Sequence, residues 1–172
     1  MRINDIQEHF ENYVPKKTLK EISWYEIKEK TIINNIEEEI IITKSLINST
    51  KLSFDFDEIN KKIKTSDTVY FKDEKVIFVE FKSGGIKKID FRLKATESII
   101  SFYNYIYNKG FIENMCFPNS TFQIYFVYNT NSSSAAKVTF SAVERELTSE
   151  YKHLFSKLKV IDNDRFQKIF KI

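Results

Sequence analysis

Asp67, Glu80 and Lys82 are the residues whose types and spacing fit a hydrolytic centre. Two apolar runs, 68–71 and 76–82, flank the polar tetrad Lys72-Asp73-Glu74-Lys75, the pattern of a β-hairpin. With Lys72 facing Lys75, Asp67 faces Glu80, and directly opposed residues project to one face with Cβ atoms about 4.5–5.5 Å apart. Lys82 lies two residues beyond Glu80, so strand alternation puts it on that face too. A one-residue slip would separate the acids, so the centre depends on this register. Neighbouring carboxylates repel unless a cation sits between them, and hard divalent ions bind through carboxylate oxygens. The expected cofactor is therefore Mg²⁺ or Mn²⁺ on Asp67 and Glu80, with the backbone carbonyl of Phe81 as a further ligand. Such an ion activates water and stabilises charge on phosphoryl oxygens. Lys82 would orient or deprotonate that water, or neutralise the charge developing at phosphorus. This is chemistry for cleaving phosphodiesters. The competing reading of the same residues is a surface ion-pair ladder.

The elements that must position these residues belong to a chain of 172 residues, 42% hydrophobic and 30% charged, which suits one domain with a substantial core. Three glycines are too few for a dinucleotide fingerprint or a phosphate-binding P-loop. The single cysteine, Cys116, excludes an intrachain disulfide or a Cys-rich zinc site and reads as a small buried hydrophobe in a reducing compartment. No apolar run approaches a membrane span, and the amino terminus lacks a signal-peptide core, so a soluble cytoplasmic protein (nucleoplasmic in a eukaryotic or viral setting) is expected. Charge is uneven: residues 61–94 carry ten basic and five acidic side chains, whereas residues 1–60 carry eight basic and twelve acidic. A cationic middle suits a polyanionic partner such as nucleic acid.

Apolar spacing predicts a helix over Ile3–Tyr13, stopped by Pro15. Residues 23–44 place Ile32, Ile33, Ile36 and Ile40 on one helical face, which favours a helix; the β-branched run 40–43 also fits a strand. Residues 51–56 alternate as a strand, with Asp55 and Asp57 on a solvated face. A Ser83-Gly84-Gly85 loop leads into a helix over 89–108, and Gly110 follows its end as a C-terminal cap. Residues 122–128 read as a central strand; 143–158 and 165–170 read as helices.

Asp67, twelve intervening residues and Glu80-Phe81-Lys82 at the end of an apolar strand resemble the PD-(D/E)XK nuclease superfamily. The resemblance implies an α/β (α+β) restriction-endonuclease-like αβββαβ core, a mixed central sheet flanked by helices. It covers about residues 23–128 of a single domain, with residues 135–172 as an extension of extra C-terminal helices. It implies that Asp67 and Glu80 bind the metal and that Lys82 is catalytic; Ser66 stands where the name-giving proline often sits. Many members add a glutamate from the first helix. If residues 23–44 are helical, Glu39 lies about 60° from Ile36 on the wheel and is the best match, with Glu37 second. Arg92 falls in line with Ala95, Ile99 and Tyr103, an inward position from which it would hold substrate phosphate, with Lys88 one turn earlier.

The expected function is thus a metal-dependent nuclease acting on DNA or RNA, working as a homodimer or with a protein partner, since so short a chain has little room for sequence-reading elements. The alternative is a catalytically inactive nuclease-like fold that binds nucleic acid or a protein. Metal binding separates the two.

Overall fold

The computed structural model describes residues 3–33, 36–60, 63, 65–84, 87–112 and 121–172. Cys116, Gly85 and the lysines 61, 62 and 64 of the basic segment lie outside the described residues. In chain order the elements are α1 (Ile3–Tyr13), β1 (Lys16–Thr18), α2 (Leu19–Ile22), β2 (Trp24–Ile33), β3 (Ile36–Ser45) and β4 (Leu52–Asp55). A 3-10 turn at Phe56–Ile59 precedes β5 (Thr68–Lys72), β6 (Lys75–Lys82), α3 (Lys88–Asn108), β7 (Phe122–Tyr128), α4 (Ser134–Glu150), β8 (Lys157–Asp162) and α5 (Asn163–Phe170).

Six strands form one mixed sheet in the order β1-β4-β5-β6-β7-β8. The meander β4-β5-β6 is antiparallel, and β6, β7 and β8 run parallel, connected through α3 and then α4. Parallel neighbours need a crossover, and both helices supply it while burying the sheet. Alternation along the strands divides the core in two. Val69, Val76, Phe78, Ile124 and Phe126 pack under α1, α3 and α4 against Phe10, Phe91, Phe102 and Leu147. Ile77, Val79, Tyr125 and Val127 face the other way, toward Leu19, Leu46 and Phe166. Glu80 shares the parity of Val76 and Phe78 and therefore faces α3.

Lys72 pairs with Lys75 and Thr68 with Val79, the register the hairpin pattern predicts. Asp73 and Glu74 make the turn with φ of 52° and 57°. Both lie in the left-handed region, whose backbone twist matches that of the flanking strands.

The helix expected over 23–44 is instead the hairpin β2–β3, a separate two-stranded sheet with Ile33 facing Ile36. Its β-branched residues lose side-chain freedom in a helix and fit the pleat, and Lys28–Glu39, Lys30–Glu37 and Lys44–Glu29 ion pairs cross the strands. The helix that precedes the meander in its own right is α1. The C-terminal segment also differs from an all-helical extension. Here α4 starts earlier than expected, capped by Ser133, and residues 157–162 form β8, which extends the central sheet beside β7. Among the described residues no helix is long and apolar enough to cross a membrane.

Candidate active site

The hydrogen-bonded pairs of the β5–β6 ladder fall at Lys72–Lys75, Tyr70–Ile77 and Thr68–Val79, so the next would join residues 66 and 81. That pair is not made. Ser66 turns to α3, its N–H donating to Ser98 Oγ at 2.8 Å, and Phe81 N–H donates to Asp67 Oδ2 at 2.6 Å. The Asp67 side chain thus ends the sheet in place of a main-chain partner. In an extended strand a residue's N–H and C=O lie along the same edge, so the Phe81 carbonyl faces the side where β5 stops.

Around this strand end the structure gathers both acids and two lysines. Glu80, 2% exposed, holds Lys82 Nζ on Oε1 at 2.7 Å and Lys94 Nζ on Oε2 at 2.9 Å. Lys94 Nζ also stands 3.8 Å from Asp67 Oδ1 and donates to the Thr65 carbonyl. Burial and then the neighbouring Glu80 push the Asp67 carboxyl well above the usual carboxylate range. Burial pulls Lys94 down, but Glu80 and Asp67 outweigh it and its pKa is raised. Asp57 joins the group: burial raises its carboxyl although Thr65 Oγ1 donates to Oδ1 at 2.7 Å, and it feels both Lys94 and Glu80. A cleft of about 240 Å³ opens here, lined by Trp24, Tyr25, Asp57, Asp67, Phe81 and Ser83. It lies at the carboxyl ends of the parallel strands, where open α/β sheets usually place ligands.

The structure thus sets Lys82 directly on Glu80 and links Asp67 to Glu80 through Lys94. Three other residues do not join them. Glu39 sits on the exposed β2–β3 hairpin paired to Lys28 at 2.7 Å, because its segment is a strand rather than the first helix. Arg92 is not inward; its Nη2 binds Glu150 of α4 at 2.7 Å and its Nε binds the same carboxylate. Lys88 likewise pairs with Glu146 of α4, so both cations clamp α3 to α4. Lys94 takes the place foreseen for Arg92. The buried face of α3 runs through Phe91, Ala95, Ser98 and Phe102, and on a wheel Lys94 flanks its centre by about 70°, Arg92 by about 90° on the other side. Phe91 and Ser98, which shift the face toward Lys94, were the available signal. Asp55 and Asp57 also depart from a solvated strand face, since Asp55 is buried against Lys17 at 2.6 Å and Asp57 lies within the 3-10 turn.

The donors fit a hard divalent ion in chemistry. Asp67, Glu80 and the Phe81 carbonyl offer only oxygen, and Mg²⁺ commonly takes one or two carboxylates and completes its shell with water or phosphate. Among the described residues no group of three His, Cys, Asp or Glu side chains is arranged as a metal cage. The Lys94 ammonium, shared between the two carboxylates, meets the same electrostatic need.

The raised Asp67 carboxyl has a consequence for stability. The folded chain holds this proton more tightly than the unfolded chain, whose aspartates titrate near about 3.9. The stability this confers is complete below about pH 4 and is lost as pH climbs through the raised folded value. Asp67→Asn, which cannot ionise, is expected to match wild type near pH 4 and to melt about 2–4 °C higher at pH 8. Thermal melts at the two pH values check this, and equal shifts at both would contradict it.

No protein family, curated protein or solved structure matches this chain.

Proposed function

We propose that the protein is a metal-dependent nuclease that hydrolyses phosphodiester bonds in DNA or RNA, with a PD-(D/E)XK-like core. The observation that carries this reading is the grouping of Asp67, Glu80 and Lys82 around Lys94 at the end of β6, with Asp67 lining an open cleft. The meander β4-β5-β6, then α3, then β7, supports it as the order of elements such a core requires, with α1 as the preceding helix. Asp67, Glu80 and the Phe81 carbonyl would hold Mg²⁺ or Mn²⁺, which when bound lowers the pKa of water and offsets charge on phosphoryl oxygens. Lys82, a quarter exposed on its Glu80 tether, reaches solvent and orients or deprotonates the attacking water. The water oxygen forms a bond to phosphorus, an ester P–O bond breaks, and the leaving oxygen takes up a proton. Lys94 neutralises the paired carboxylates and stands where a substrate phosphate would also meet it.

A second reading is favoured by a specific observation: Glu80 is already bridged on both oxygens by lysines. In that case the centre is an ion-pair network and the chain is a binding module. Electron paramagnetic resonance of added Mn²⁺ separates the two. The nuclease reading expects about one Mn²⁺ or more bound per chain at millimolar metal, with binding lost in Asp67→Ala. Free Mn²⁺ signal undiminished by wild-type protein supports the module.

A further inference from the structure

A concavity of roughly 700 Å³ lies not at the carboxylates but at the other end of the sheet. The floor is a row across the strands, Ser53, Tyr70, Ile77 and Gln123, with Tyr125 two residues further along β7, on the face opposite α3, and α5 walls it with Phe170. The hairpin turn and the starts of β7 and β8 rim it. Since β6 runs from Lys75 to Lys82, at about 3.3 Å per residue the two sites are roughly 20 Å apart.

The rim is cationic. Lys16, Lys51, Lys72, Lys75, Lys157 and Lys171 line the groove, against only Glu11 and Asp73. Lys16 is neutralised by Glu11, but Lys51, Lys72, Lys157 and Lys171 form no ion pair among the described residues. Elsewhere Lys17, Lys28, Lys30, Lys44, Lys88 and Lys159 have carboxylate partners, whereas Lys20, Lys137, Lys152 and Lys168 form no ion pair among the described residues either; what sets the groove apart is that its lysines line one concavity. Lys51 Nζ donates to the Phe170 carbonyl at 3.2 Å; Lys72, Lys157 and Lys171 come from segments far apart in the chain, and folding brings them to one concavity. Aromatic rings lie among them. Tyr70 packs on Phe170 with the rings tilted and their centres 5.0 Å apart, Tyr125 meets Phe170 at 5.4 Å, and the Lys157 ammonium lies 5.4 Å from the Tyr125 ring centre. Burial pushes the Tyr70 phenol up to about 12, so it stays a neutral hydroxyl beside the lysines.

We propose that this groove binds the nucleoside-phosphate unit of single-stranded nucleic acid, with phosphates on Lys72, Lys157 and Lys171 and a base against the Tyr70–Phe170 wall. Unpaired lysines interleaved with half-buried rings combine the two forces that hold single strands, counterion release and base–aromatic stacking. A site of this volume is ordinary for a compact ligand, so a free nucleotide offers the same chemistry as a strand. Binding here needs neither the metal nor the carboxylate centre, and it stands whether or not the chain cleaves.

Fluorescence anisotropy of labelled oligothymidylate, with the full chain in EDTA, tests it. Competitors are unlabelled mononucleotide, duplex DNA, inorganic polyphosphate and a polyglutamate peptide. The triple variant Lys72→Gln, Lys157→Gln, Lys171→Asn removes only exposed side chains, and asparagine tolerates the left-handed backbone at position 171, where φ is 53°. It should bind at least about tenfold more weakly, and its slope of log affinity against log salt should be shallower by about 2. Mononucleotide competition would mark a nucleotide pocket, and competition by oligonucleotide alone would mark a strand groove; each supports the site. The proposal is overturned if wild type fails to bind at low salt or the triple variant binds equally. Competition by polyphosphate or polyglutamate as strong as by unlabelled oligothymidylate would also overturn it, because the rings would then contribute nothing.

Discussion

Asp67→Ala and Lys82→Ala should each lower metal-dependent phosphodiester cleavage by about 10²–10⁴-fold while leaving a folded protein. The two losses have different origins. Asp67→Ala removes a proposed metal ligand and the acceptor of the Phe81 N–H, so higher Mn²⁺ should recover part of the rate. Lys82→Ala leaves both acids in place, so Mn²⁺ binding should persist and no metal concentration should restore cleavage. Arg92→Gln is the contrasting control. Its side chain bonds Glu150 on α4, and a half-exposed ion pair contributes about 1 kcal/mol or less, so cleavage should change by no more than a few-fold. Initial rates on one substrate across a metal titration distinguish the three variants.

Lys94→Met should have the largest effect on stability of any single change at the centre. Lys94 is 15% exposed, and its ammonium serves Glu80, Asp67 and the Thr65 carbonyl together. Removing one partner of a buried ion pair leaves an uncompensated charge and commonly costs 3–5 kcal/mol. Lys82 still reaches the other oxygen of Glu80, so a loss of about 3 kcal/mol is expected, a fall in Tm of roughly 6–12 °C. The same variant reports on the metal. If Asp67 and Glu80 accept a divalent ion, saturating Mn²⁺ should raise the Tm of Lys94→Met by more than that of wild type, because binding to the folded state alone stabilises it. An equal response would assign Lys94 a purely structural role.

What was legible in the sequence follows from how local each signal is. The β5–β6 hairpin could be read because a two-residue turn fixes register, which holds as far as Thr68–Val79 and leaves Asp67 and Glu80 as the next residues at that strand end. β7 and most of α3 were legible for the same reason, through unbroken apolar patterning bounded by polar segments. The β2–β3 hairpin misled because its isoleucines fall within one arc of a helical wheel. Their β-branching, together with alternating lysine and glutamate that pair across strands, decided for a ribbon that protrudes from the core. Glu39 went with it. β8 was hidden because Lys157–Asp162 is short and half charged, and Leu158, Val160 and Ile161 alone do not suggest a strand without β7 beside them. Lys94 escaped notice because a lysine between Leu93 and Ala95 reads as solvated surface. Only the three-dimensional approach of α3 to the end of β6 gives it two carboxylate partners. The lysine groove was equally invisible, since its cations converge from positions 16 to 171.

The most direct test of the account is incubation of the purified protein with plasmid DNA, single-stranded DNA and RNA in Mn²⁺, Mg²⁺ or EDTA. The account predicts cleavage of at least one substrate in Mn²⁺ or Mg²⁺, none in EDTA, and none by Asp67→Ala at matched metal. Folded wild-type protein that leaves all three intact in every metal, or cleavage that persists in EDTA, would contradict it.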